Sequence, residues 1–299
     1  MNMKRFRQTS TRLQGGFTLL ELMLVCAVLA VVLGAVFEGI NTVIKRSQSE
    51  QVKVDLTQSG REFVDEFERD LHQVGYPNCR LVATAGVSCP ADYSNATQQT
   101  VAFNPAVAVG LVHVDNTKII FEGDMNGTGV VDSVQYELVD VNGLNPPASC
   151  PCTLQRSEVV KVAGDPEAQT PTFTQELQNV VNSGQPVGAA PYGGGAPISG
   201  DTAWGATNTA YYAAITTFKD YPVFQAYDQF GNIVPLPVDL KTTPGATQTL
   251  TCGVSSIVCI KSIRLTINLL ANATTGVDLQ TRVRPVTTLV GSARLVDNF

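Results

Sequence analysis

The sequence predicts an α+β protein: one long N-terminal helix, apolar in its first half and amphipathic in its second, packed on a β-rich globular head. Three observations predict it. Residues 22–37 form an unbroken apolar run, and with their flanks they are long enough to cross a bilayer as a helix. Beyond them Val52, Leu56, Phe63, Phe67, Leu71 and Val74 recur at steps of three, four and seven, which keeps one helix face apolar. Past Pro77 the apolar residues fall into short alternating runs separated by Gly, Asn and Pro turns.

The first element, residues 1–16, is a basic arm carrying Lys4, Arg5, Arg7 and Arg12 and no acidic residue. A basic arm ahead of an apolar stretch reads as an export signal. An ordinary secretory signal is cut after its apolar stretch, but here the small pair Gly15-Gly16 comes before it. Cutting after Gly16 removes only the arm. The apolar helix then stays on the mature chain, with a free amine on Phe17 and one carboxylate, Glu21, near the end of the span. A carboxylate in such a span costs about 2–3 kcal/mol or more unless it is paired. A plain single-pass anchor has no reason to keep one.

The run Gly16-Phe17-Thr18-Leu19-Leu20-Glu21-Leu22-Met23 closely resembles the class III leader and N-terminal helix of type IV pilins and type II secretion pseudopilins. The resemblance implies cleavage between Gly16 and Phe17 by an inner-membrane prepilin peptidase, which also methylates the new Phe17 amine. It implies that Glu21 of one subunit faces the Phe17 amine of the next and so sets assembly register. The partners it implies are membrane lipid, a pilus assembly platform, the major pilin and other minor pilins. A narrower resemblance lies at the helix end. Gly60-Arg61-Glu62-Phe63 and Arg69-Asp70-Leu71-His72-Gln73-Val74-Gly75-Tyr76 are similar to the same region of PilW-type minor pilins and the related J-type minor pseudopilins. The expected role is a minor pilin that helps initiate or cap type IV pilus assembly. The alternatives are a type II secretion minor pseudopilin and a surface-binding, adhesin-like module displayed on a filament.

The helix is expected over residues 17–74, a transmembrane half at 17–40 and an amphipathic half at 41–75, ended by the breakers Gly75-Tyr76-Pro77. Lys45 and Arg46 anchor it at the membrane surface. The larger positive cluster of the leader marks the cytoplasmic side, which puts the head in the periplasm and later at the cell surface. The head occupies residues 76–299. Strands are expected at 118–122, 133–139, 153–156, 158–162, 223–227, 233–236, 257–270 and 282–295. The strongest is 257–270, where Ile263, Leu265, Ile267 and Leu269 alternate with Arg264, Thr266 and Asn268. Residues 164–205, rich in Pro and Gly, read as a long surface excursion, with helix character only at 172–182.

Charge and composition exclude some classes. The net charge is −6, and loss of the four basic leader residues takes it to −10. No Lys/Arg cluster suited to nucleic acid remains. No nucleophile elbow, P-loop or histidine pair is present, and His72 and His113 lie on separate elements. No catalytic residue is assigned, so a structural subunit is expected rather than an enzyme.

Two chemistries stay open. Of seven cysteines, Cys26 lies in the apolar helix, while Cys79, Cys89, Cys150, Cys152, Cys252 and Cys259 fall in the head. Even parity in an oxidising compartment favours disulfides. Proximity favours Cys79–Cys89 and Cys252–Cys259. Cys150 and Cys152 are separated by one residue and pair awkwardly with each other. In the turn 123–132, Asp124, Asn126, Thr128, the Val130 carbonyl and Asp132 match positions one, three, five, seven and nine of a calcium loop. Position twelve is Gln135, not a bidentate Glu, and Glu122 or Glu137 is a substitute only if the fold allows it. The spacing also fits a hairpin turn in which Asp and Asn bond the backbone and Gly takes a positive φ, and this is the preferred reading. No other cofactor is expected.

Overall fold

The computed structural model describes residues 18–82, 89, 96–147, 151–182, 222–240, 257–271 and 286–295. The chain divides into two compact units, Met1–Ser47 and Gln48–Phe299. Helix α1, Leu19–His72, runs through the boundary. In the first unit it is fully exposed from Leu19 through Ser47, which leaves Leu22, Val25, Leu29, Val32 and Phe37 without protein neighbours to cover them. The helix is long and apolar enough to cross a membrane.

In the second unit the residues from Gln48 to His72 follow the amphipathic pattern. Phe63, Val64, Phe67, Leu71 and, just past the helix, Val74 are buried. The helix stops where Gly75 takes φ 82°, a conformation that favours glycine. The Gly75 N–H then bonds the carbonyl of Glu122, and Val74 bridges Gly123. Two short helices follow, α2 (Cys79–Val82) and α3 (Ala96–Ala102).

Among the described residues the head is one antiparallel sheet of ten strands. They are β1 (Leu111–Val114), β2 (Lys118–Gly123), β3 (Asp132–Val139), β4 (Cys152–Val160), β5 (Phe173–Val180), β6 (Phe224–Tyr227), β7 (Ile233–Val234), β8 (Val238–Asp239), β9 (Ser262–Leu270) and β10 (Val286–Arg294). The order is β7-β6-β9-β5-β4-β3-β2-β1-β8, with β10 on the other side of β9. Ile263, Leu265, Ile267 and Leu269 face the core and are buried; Thr266, Asn268 and Leu270 on the other face of β9 are buried too, so the strand is covered on both sides along most of its length. Their core is shared with α1. Tyr136 on β3 meets Phe67 edge-on at 5.3 Å and Phe63 at 5.6 Å, while Phe67 also lies 5.7 Å from Phe224 on β6. Gly60 lets the helix approach Leu269 and Leu289 of β9 and β10.

Several expectations change. The helix character expected at 172–182 is absent: Phe173–Val180 is strand β5, placed between β4 and β9. Within the 164–205 stretch, Pro166–Ala168 form a 3-10 turn and Phe173–Val180 are sheet rather than surface excursion, and 183–205 lie outside the described residues. The two runs 153–156 and 158–162 are one strand, β4. Residues 257–259 form a 3-10 turn ahead of β9. The short strands β1 and β8 were not foreseen.

Candidate functional site

The N-terminal segment supplies the first candidate site. Gly16 and Phe17 lie outside the described residues. Thr18 precedes α1, and its Oγ1 accepts the Glu21 N–H at 3.3 Å, as a residue opening a helix does. Glu21 lies in the first turn, where a carboxylate complements the helix dipole. Its carboxylate is exposed and has no hydrogen-bond or ion-pair partner among the described residues. The apolar run of the helix, from Leu19 to Phe37, thus carries one acid group, and that group has no partner among the described residues.

The acidic turn joins β2 to β3. Asp124 Oδ1 accepts the Thr128 N–H at 3.0 Å and Oδ2 accepts the Gly129 N–H at 2.8 Å. Asn126 Nδ2 donates to Asp132 Oδ2 at 3.3 Å. Gly127 and Gly129 take φ of 70° and 80°, so the turn needs glycine at both. Val130 is exposed. Burial, then the charge of Glu158, pushes the Asp132 carboxyl above its usual range, although the Met125 N–H opposes the shift. The two substitutes for position twelve are engaged elsewhere. Glu137 accepts from Gln135 Nε2 at 2.9 Å and Gln155 Nε2 at 2.6 Å. Among the described residues no group of three or more His, Cys, Asp or Glu side chains is arranged to hold a metal ion.

Glu122 marks a site that sequence reasoning missed. Its side chain and that of Lys161 are both fully buried, with Nζ 2.7 Å from Oε2. Lys161 Nζ also donates to the carbonyls of Ala102 at 2.7 Å and Val107 at 2.8 Å, so all three of its protons are used. Glu122 Oε2 accepts the Val109 N–H at 3.1 Å, whereas Oε1 has no partner. Burial is the main cause that pushes the Glu122 carboxyl up to about 7, against the pull of Lys161. Burial likewise depresses the Lys161 ammonium, against the pull of Glu122. The pair fastens the 102–110 loop to the ends of β2 and β4. No motif announces it; the only sequence signal was a lysine closing an otherwise apolar strand end, Val159-Val160-Lys161-Val162.

Cysteine placement is mixed. Cys79 and Cys89 are joined by a disulfide that closes a ten-residue separation. Cys152 is also disulfide-bonded, Cys259 is buried, and Cys150 and Cys252 lie outside the described residues. Cys26 is exposed on the apolar part of α1.

A family model of the prokaryotic N-terminal methylation motif matches residues 11–37, the span that holds the basic Arg12, Gly16, Phe17, Glu21 and the apolar run. The chain therefore carries a type IV pilin-like N-terminus of the class III prepilin kind. No curated protein and no solved structure matches the chain.

Proposed function

We propose that this chain is a minor pilin, a structural subunit that helps initiate or cap a type IV pilus. The observation that carries the reading is the solitary Glu21. It sits in an exposed apolar helix, inside the matched methylation motif, and its carboxylate finds no partner among the described residues. In a bundle of such helices the Phe17 amine of a neighbour supplies that partner, and the apolar side chains bury one another.

On this reading a prepilin peptidase cuts after Gly16 and methylates Phe17. The helix holds the subunit in the inner membrane with its head in the periplasm until an assembly platform extracts it. The major pilin and other minor pilins are its neighbours, and the head acts as a contact surface rather than a catalyst. The large single sheet suits a terminal position, where no copy has to stack above it.

Deleting the gene in a strain unable to retract pili tests the role, with sheared surface filaments and type II secretion measured together. Lost filaments with normal secretion is the expected result. Normal filaments with lost secretion would assign the chain to a secretion pseudopilus instead. With both normal and surface attachment lost, the head would be a displayed binding module. Glu21→Ala should reproduce the deletion phenotype while leaving cleavage after Gly16 intact, as read by mass spectrometry of the mature N-terminus.

A further inference from the structure

We propose that the outer edge of β10 is a docking strip for an extended, carboxylate-bearing segment of another polypeptide. The proposal goes beyond the filament role and holds whether or not the chain enters a pilus.

Strand β10 uses one edge on β9 in an unbroken nine-residue register, from Val286↔Leu270 to Arg294↔Ser262. Its alternation is fixed by two bonds. The Leu295 N–H goes to the Lys261 carbonyl on the β9 side. The Ser292 N–H points the other way, to Glu68 Oε1 on α1 at 2.8 Å. Backbone groups of Thr288 and Val290 therefore share the outward direction of Ser292. Among the described residues nothing bonds their N–H or C=O groups, and the Thr288 hydroxyl bond to Asn268 is the one side-chain hydrogen bond the two residues make. Both are exposed. An edge with such free groups is a template for strand addition.

Charge selects the occupant. In a chain of net charge −6, this ribbon carries Arg264 and Arg294. Arg264 stands opposite Ser292, and Arg294 stands two residues further along the same face. Both are exposed, and among the described residues neither guanidinium has a hydrogen-bond or ion-pair partner. Glu68 already occupies the Ser292 N–H, so an incoming strand stops there. Antiparallel pairing along 286–290 brings the N-terminal end of that strand toward Arg294 at the end of β10, with Arg264 one strand further in on the same face, so that an aspartate or glutamate there meets a positive patch.

The test uses the full chain in detergent micelles and a labelled peptide of about six alternating threonines and valines, with two aspartates at its N-terminal end. A second peptide carries lysines in their place. The acidic peptide should bind at least about tenfold more tightly and slow amide exchange at Thr288 and Val290. The double variant R264E/R294E should reverse the preference. Val290→Pro, which removes an outward N–H and leaves the β9 ladder intact, should abolish binding of both. If β10 amides exchange equally with and without the acidic peptide, or if both peptides bind alike, the arginines guard the edge against pairing and the proposal fails. Exchange on the unaltered chain decides the matter even where a variant does not fold.

Discussion

Asp70 on α1 and Arg156 on β4, 86 positions apart, meet through Arg156 Nη2 at 2.8 Å and Nε at 3.0 Å, both on Asp70 Oδ2. The Tyr136 hydroxyl donates to the same oxygen at 2.8 Å. Asp70 is buried and Arg156 nearly so, their side chains 3% and 13% exposed. The amphipathic half of the helix is thus tied to the middle of the sheet by a specific polar clasp as well as by Phe63 and Phe67. Apolar burial is non-directional, whereas this clasp fixes the rotation and height of the helix on the strands.

Asp70 is the most buried partner of Arg156, which also pairs with Glu158 and, at 3.8 Å, with Glu66. Asp70→Leu should cost about 1.5–3 kcal/mol, the worth of hydrogen bonds to a charged group. Arg156→Met with Asp70→Leu should recover a large part of the loss, because the desolvation cost disappears with both charges. Urea unfolding of the four members of this cycle, at constant m-value, measures the coupling.

Glu122 gives the head a pH dependence of defined sign. Its folded value, about 7, lies above the ordinary 4.5. The native state therefore holds the proton more tightly than the unfolded state does. The group's contribution is most favourable below pH 4.5, falls as pH rises toward 7, and is flat above that. The full swing is about 3 kcal/mol. Glu122→Gln should remove this part of the slope, and the difference between the two stability–pH curves isolates it from the smaller upward shifts at Glu66 and Asp132. A curve in Glu122→Gln that matches the unaltered chain across this window would show that Lys161 compensates fully.

Gly123 ends β2 against the turn that follows α1. A Cβ there would run into the backbone oxygen of Gln73, which cannot swing aside as a side chain can. Gly123→Ala should cost about 1–3 kcal/mol, as overpacking does. Gly143→Ala is the control of a different kind: it meets open space, and its cost comes from φ 76° alone. Thermal melts of the two variants separate crowding from backbone strain.

Asp124 closes its turn through two backbone N–H groups. Asp124→Ala should cost about 1.5–3 kcal/mol, the worth of hydrogen bonds to a charged group. That cost should be the same in calcium and in chelator if those bonds are the turn's whole support. A cost that grows when calcium is added would make the turn a cation site.

Much of this fold is legible in the residues, and the exceptions have physical causes. The apolar stripe on α1 is buried from Phe63 to Val74 and half-buried at Val52 and Leu56, and the alternation through Ile263–Leu269 marks the core face of a strand that is also covered on its other face. Strand β5 was read as helical because Phe173, Leu177 and Val180 recur at steps of four and three. The register of β4 against β5 slips on both sides of Leu154, and Asn179 takes φ 59°. Such bulges put Leu177 and Val180 on the buried side three residues apart, a spacing that alternation alone cannot produce. The acidic turn was visible as a turn, but its bonding depends on how Asp124 meets the backbone. Glu122 with Lys161 and Asp70 with Arg156 were invisible, because each pair joins segments that only the completed sheet brings together.

The bond from Glu68 to Ser292 spans 224 positions. The strand that covers this side of the helix is made long after the helix itself. During synthesis the helix side at Gly60 and Val64 lacks its cover until Leu289 and Gly291 arrive. Maturation of the head is thus a late closure step, and long-range closure of this kind is slow. A chain truncated before β10 would carry every earlier strand and still leave the Gly60–Val64 side of the helix uncovered, the kind of feature by which holdase chaperones and proteases select unfinished chains.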